Sequence, residues 1–216
     1  MLPPESALNY QATAAEIHAN RFRDTHAQMF ERFIPLWLSS YRQQVNRKTN
    51  ITEMWSNGFS FMFDLEGSDH CDGRGPHPAG VFPRTVVAFG ISKPPPGRSI
   101  VEDLRLRRWM GPTAEVFGAE RDKGHFIASS VGGAIIAAET NIFSQRRDLN
   151  RGWSSAGKIF RSMETFAQNN PGTPFFNRPV YLLESDTPDF LEVGIVKADS
   201  TVWIEVFDNR NVANVT

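Results

Sequence analysis

Apolar side chains recur at helical spacing through residues 5–47, in Ala15, Ile17, Phe22, Met29, Phe30, Phe33 and Ile34. Pro35 predicts a kink or an end to the first helix, with Leu36-Trp37-Leu38 starting a second piece. Ser6 is placed to cap the first helix. His18 and His26 lie in the same region, and they read more readily as exposed helix residues than as a ligand pair. The period changes after residue 50. Phe59, Phe61 and Phe63 alternate as a half-buried strand does, and Thr85-Val86-Val87-Ala88-Phe89 reads as a buried strand. Between them GSDHCDGRGPHPAG is turn chemistry from end to end. Lys93-Pro94-Pro95-Pro96-Gly97 is a stiff connector, and Glu102 to Arg108 has the sign pattern of a polar helix or strand edge. Alternation returns in Val180 and Leu182, in Phe190, Val193 and Ile195, and in Val202, Ile204 and Val206. Turn signals separate these runs, which predicts two or three antiparallel strands. No internal repeat is visible.

The elements add up to an α+β domain. A helical region over residues 1–50 would form a layer beside a mostly antiparallel sheet built from residues 51–216. Length supports this, since 216 residues suffice to bury roughly 70% of the unfolded surface in one core. Hydrophobic residues at 40% and charged residues at 22% are an ordinary globular balance. Apolar runs stay far below the ~20 residues of a membrane span. The N-terminal stretch shows neither a basic n-region nor an apolar h-region, so no Sec signal is visible and synthesis in the cytoplasm is expected. The single cysteine, Cys71, excludes an internal disulfide framework and a multi-cysteine zinc site.

Net charge is −1, which argues against a generally basic nucleic-acid binder. Its distribution changes that picture. Residues 93–168 hold 12 basic and 8 acidic side chains, whereas residues 169–216 hold 3 and 7. A polyanion would meet the chain at the first of these segments. Asp69, His70, Cys71, Asp72 and His77 invite a metal site in the polar loop. Gly and Pro loosen their spacing and no second cluster completes them, so an exposed loop is the plainer reading.

The pointed chemistry lies further on, in Asp122-Lys123-Gly124-His125, Gly132-Gly133, Asn141 to Gln145 and Asp148-Leu149-Asn150-Arg151-Gly152. A glycine directly before His125 leaves room for a ligand at the imidazole. A short strand, Phe126 to Ala128, would begin at His125, and a second near Ala134 to Ala138 would return after the glycines. A helix bearing Asn150 would follow, giving a β-β-α unit that presents one imidazole and one carboxamide to the same point. That pairing suits phosphodiester hydrolysis. A neutral imidazole takes a proton from water near neutral pH. A hard divalent cation accepts an amide oxygen while keeping several waters. Lys123, Arg121, Arg146, Arg147 and Arg151 are candidates to hold the phosphate.

At these residues the chain resembles the DNA/RNA non-specific endonucleases of the ββα-metal (His-Me) finger fold, whose signature is Asp-Arg-Gly-His. It is most similar in style to the branch found as toxin domains of bacterial polymorphic toxins. The resemblance covers about residues 115–210, with the finger at about 118–168, and leaves the first hundred residues without a match. It implies that His125 is the general base and Asn150 the direct ligand of Mg²⁺ or another divalent ion such as Mn²⁺. Asp122 belongs to the motif, and Asn141 and Gln145 would order the finger or its second shell. Lys123 stands where the family has Arg, keeping the charge without the bidentate geometry. The family's further glutamate falls on Glu164, with Asp148 as the fallback. On one straight helix Glu164 would lie ~21 Å beyond Asn150, so Gly152, Ser154, Ser155 and Gly157 must break the helix if both serve one ion. The resemblance further implies an antibacterial toxin acting on DNA, RNA or both. It would reach a rival cell by a route without a Sec signal and meet an immunity protein at home. Two other classes stay open. One is an inactive nuclease-like fold that only binds nucleic acid or protein, and the other is a different hydrolase with its metal at the His70–His77 loop. Trp109 and Trp153 would serve either base stacking or packing.

Overall fold

The computed structural model describes residues 8–19, 25–45, 47–68, 82–95, 118–133, 141–182 and 187–210. Helices α1 (Tyr10–Ala19) and α2 (Thr25–Val45) precede strands β1 (Ile51–Ser56), β2 (Phe59–Ser68) and β3 (Phe82–Ile91). Strands β4 (Arg121–His125) and β5 (Ile142–Arg146) follow, then helices α3 (Arg147–Asn150) and α4 (Ser155–Asn169). Strands β6 (Pro174–Val180), β7 (Phe190–Val196) and β8 (Val202–Asp208) close the described chain. Six strands form one sheet in the order β1-β2-β3-β6-β7-β8, each pair antiparallel. β4 and β5 pair with each other as a separate ribbon. The protein is α+β with a mostly antiparallel sheet, as expected. Among the described residues no helix is long and apolar enough to cross a membrane.

Alternation along the strands sends side chains to two different cores. Val87, Phe89 and Phe176 join Tyr10, Phe30, Phe33 and Trp37 of the helical layer. Ala88, Phe175, Leu191, Val193 and Ile195 join Phe143 of the ribbon, Leu149 of α3 and Phe160 and Met163 of α4. The sheet is therefore the middle of three layers. This explains why all seven residues of β6 and all seven of β7 are buried. The half-buried alternation expected from the sequence is not seen in β6 or β7, which are buried throughout, nor in β8, where six of seven residues are half-buried, and Leu182 lies beyond β6, exposed.

Pro35 does not end its helix: α2 runs through it from Thr25 to Val45. A proline inside a helix costs ~3 kcal/mol. Its neighbours on the inner face, Phe33 and Trp37, are fully buried. The Trp37 ring lies 5.1 Å from Phe176 and 5.4 Å from Phe89. Each large apolar side chain so buried returns ~1.5–3 kcal/mol, enough to carry the helix across the break. Polar contacts fasten the same layer. Trp37 donates to the Tyr10 hydroxyl at 2.8 Å, and that hydroxyl donates to Glu192 on β7. Arg178 on β6 grips both Glu192 oxygens at 2.8 and 2.9 Å.

The ribbon departs from its expected position. β4 ends at His125, where a strand was expected to begin, and Phe126 to Ala128 lead into a single 3-10 turn, Ser129–Val131. Its described partner is β5, with Lys123 opposite Ser144 and His125 opposite Ile142. The expected strand at 134–138 lies outside the described residues. So do Ser6, the His18 side chain, the loop with Asp69, His70, Cys71, Asp72 and His77, the segment 102–108 and Trp109.

Candidate functional site

The ribbon and α3 meet at one carboxylate. Asp122 on β4 is 8% exposed and accepts from three side chains of the α3 turn. Arg151 donates through Nε at 2.7 Å and Nη2 at 3.0 Å. Arg147 donates through Nε at 3.2 Å, and Asn150 through Nδ2 at 3.1 Å. Burial alone would raise the Asp122 carboxyl, but the hydrogen bonds from Arg151, Asn150 and Arg147 outweigh it and hold the group below its ordinary range. Because its nitrogen is committed to Asp122, the Asn150 carboxamide has a defined orientation with its oxygen directed elsewhere. His125 stands three residues along the same strand, ~10 Å away by strand rise. It is half-buried, with Nε2 shielded from solvent. Lys123 lies between them, and burial lowers its ammonium below the usual lysine range.

Two finger residues shape the backbone around His125. Asn141 accepts from the Ile127 amide at 2.8 Å and donates to the Ile127 carbonyl at 3.0 Å. It acts as a strand rung just past the histidine. Gln145, fully buried, lies across Gly124: a Cβ at position 124 would come within 2.2 Å of the Gln145 Oε1. The glycine before His125 therefore makes room for the Gln145 side chain.

The basic residues separate into two kinds. Arg121 was a phosphate candidate, but it is buried and donates to the Asn209 carbonyl at 2.7 Å. It holds the segment just after β8 to the ribbon. Arg146 is bound bidentately to Asp148 at 2.6 Å for each bond, which spends both its fork and the carboxylate. The bond from Arg146 holds Asp148 below its ordinary range. Arg147 and Arg151 remain partly open, with 26% and 46% of their side chains exposed.

The helix break demanded by the sequence is present. α3 stops at Asn150, Gly152 takes a left-handed conformation at φ +72°, and Ser154 caps α4 by accepting from the Gly157 amide at 3.0 Å. Glu164 sits on the inner face of α4, 7% exposed, and receives Arg161 at 3.2 Å. Burial pushes its carboxyl up to about 7 against the opposing pull of Arg161.

No protein-family model matches the chain, and no curated protein does. Among solved structures, one described as Sda1 nuclease with bound zinc ion is similar at 23% identity and a TM-score of 0.36. The likeness covers 44% of this chain and 41% of that one, and at that score it carries no argument about this site.

Three positions, two that brace the ribbon and one that pairs with Glu164, are not among the sequence candidates. Asn177 of β6 donates to the Phe126 carbonyl at 3.0 Å, pinning the residue after His125 to the sheet. Asn209 accepts from the Arg146 amide and donates to the Ser144 and Pro188 carbonyls. Arg161 pairs with Glu164. A lone asparagine inside PFFNRPV was the available signal for the first. Nothing in the local pattern marks the other two. Among the described residues no three His, Cys, Asp or Glu side chains gather where they could jointly hold a metal ion.

Proposed function

We propose that the chain is a metal-dependent nuclease that hydrolyses phosphodiester bonds of DNA, RNA or both without sequence specificity, with β4, β5 and α3 as its ββα-metal finger. The observation that carries this reading is the Asp122–Asn150 hydrogen bond beside a strand ending at His125. It fixes the Asn150 carboxamide at the end of α3 against β4, and the convergence of its oxygen and the His125 imidazole on one ion is part of the proposal. The donor set fits a hard cation that keeps most of its water, since among the described residues it offers one amide oxygen and no cluster of carboxylates or thiolates. When bound, Mg²⁺ or Mn²⁺ supplies charge stabilisation at the phosphate and the leaving oxygen.

The chain's own residues supply the rest. His125 takes the proton of the attacking water. Lys123, Arg147 and Arg151 hold the phosphate, whereas Arg121 and Arg146 are spent on structure. Glu164 is the carboxylate assigned to the ion's water shell, because Arg146 engages both oxygens of Asp148 at 2.6 Å, whereas Arg161 engages one oxygen of Glu164 at 3.2 Å. The resemblance of the finger motif extends the proposal to an antibacterial toxin with a cognate immunity protein.

Plasmid DNA and total RNA with Mg²⁺, then with EDTA, test the reading. His125→Ala should slow cleavage ~10²- to 10⁴-fold. Asn150→Ala should lose activity at limiting Mg²⁺ and regain part of it at high Mg²⁺. Full cleavage in EDTA overturns the metal requirement, and a wild-type rate for His125→Ala overturns the finger. Binding without cleavage by the wild-type protein would make this a binding module.

A further inference from the structure

The turn between α3 and α4 carries an indole that the core does not use. Trp153 is 63% exposed, yet its backbone is tied down. Its amide donates to the Asp148 carbonyl at 2.9 Å, and the Gly152 amide donates to Leu149 at 3.2 Å. The next residue, Ser154, caps α4. The Arg151 guanidinium lies 5.0 Å from the Trp153 ring centroid. That guanidinium is itself aimed by its two bonds to Asp122.

A single exposed apolar side chain is ordinary on a protein surface. This one differs in three respects. Its backbone is fixed, a stacked cation orders its ring, and it stands three residues from Asn150 on the turn that bears Arg147 and Arg151. A flat apolar surface beside cations matches a nucleotide, which is a flat π-system joined to a phosphate. In a duplex both faces of a base are covered by its neighbours, so an indole reaches a face only after unstacking. An unpaired strand offers that face directly.

We infer that Trp153, ordered by Arg151, is a stacking platform for one unpaired nucleobase of the bound strand, and that it biases the site toward single-stranded nucleic acid. This rests on the nuclease reading of the same site. Stacking tolerates any base, so the platform selects strand state and leaves sequence unread.

Anisotropy titrations in EDTA, where cleavage is stopped, would use three fluorescein-labelled probes of equal length. These are a single-stranded oligodeoxynucleotide, an abasic strand of the same phosphate count, and a duplex. Trp153→Ala should weaken the single strand ~5- to 100-fold and leave the abasic strand and duplex unchanged. Trp153→Phe should restore most of the loss. Equal weakening of all three probes, or of none, overturns the platform. If the wild-type protein cleaves plasmid yet binds base-bearing and abasic strands alike, the stacking inference fails and the nuclease reading stands. If it neither binds nor cleaves any nucleic acid, both fail.

Discussion

Each face of the central sheet carries a carboxylate gripped by arginine, and the two differ in their access to water. On the helical face the Arg178 and Glu192 side chains are 7% and 1% exposed. Every group there is spent. Glu192 takes Arg178 and the Tyr10 hydroxyl, and Arg178 reaches the Ser40 hydroxyl at 3.1 Å. On the ribbon face Asp122 is held by Arg147 and Arg151, whose side chains stay partly in water. The dry pair rivets a layer. The wet cluster keeps cations able to exchange a carboxylate for a phosphate. Glu164 is as little exposed as Asp122, but it has a single arginine partner where Asp122 has three donors. Burial pushes Glu164 up, while the donors pull Asp122 down. At similar solvent exposure Glu164 lies deeper in the protein than Asp122, so deeper burial and fewer donors together set the opposite directions.

The largest effect should come from the dry side. Glu192→Ala leaves the Arg178 guanidinium buried without its counter-ion, a loss of ~3–5 kcal/mol. Urea unfolding followed by circular dichroism would read it. The double change Arg178→Met with Glu192→Leu should cost less than the single one, since it removes both charges together. A single change costing no more than an exposed pair, up to ~1 kcal/mol, would break the contrast between the faces.

Glu164 should show the next effect, through pH. Its folded carboxyl titrates near 7, above its ordinary 4.5. Between those values the folded state holds a proton that the unfolded state has released. Stability therefore falls as pH rises through this window and levels off above it, by at most ~3 kcal/mol. Glu164→Gln should remove that slope and be more stable than wild type above neutrality. Urea midpoints at about pH 5 and about pH 8 would compare the two proteins. Parallel pH dependences would mean that Arg161 alone keeps Glu164 ionised.

These clusters also mark where the sequence was legible. The alternation of Phe59, Phe61 and Phe63 reported β2 because apolar burial writes a period into the chain. Strand β4, Arg121–His125, has no such period, for four of its five residues are polar. It is a strand because β5 pairs with it, which is a tertiary cause, whereas the apolar pattern along the chain points to Phe126 to Ala128. The same holds for Pro35, where aromatic packing outweighs a local breaker. Asp122, Asn150, Arg147 and Arg151 were each visible as candidates, yet their convergence on one carboxylate was not. Arg178 and Glu192 face each other only through the β6–β7 register, and no spacing along the chain encodes that.

The smallest change in stability, and the sharpest functional split, belongs to Asp122. Asp122 is buried, but its two arginines stay partly in water and asparagine keeps one acceptor oxygen, so Asp122→Asn should cost only ~1–2 kcal/mol. Function should move in two directions at once. Removing the carboxylate releases Arg147 and Arg151 from their neutralising partner and adds one net positive charge beside α3. Affinity for nucleic acid should rise and depend more steeply on salt. The same change weakens the acceptor that orients the Asn150 carboxamide. Turnover should then drop ~10- to 100-fold, the range usual for a residue that acts through a metal ligand. KM and kcat would thus fall together, where a residue of purely structural use would leave both alone. Steady-state rates on plasmid across a Mg²⁺ series would check it. Tighter binding with undiminished turnover at limiting Mg²⁺ would show that Asp122 only masks the two arginines, and the orientation of Asn150 would need another cause.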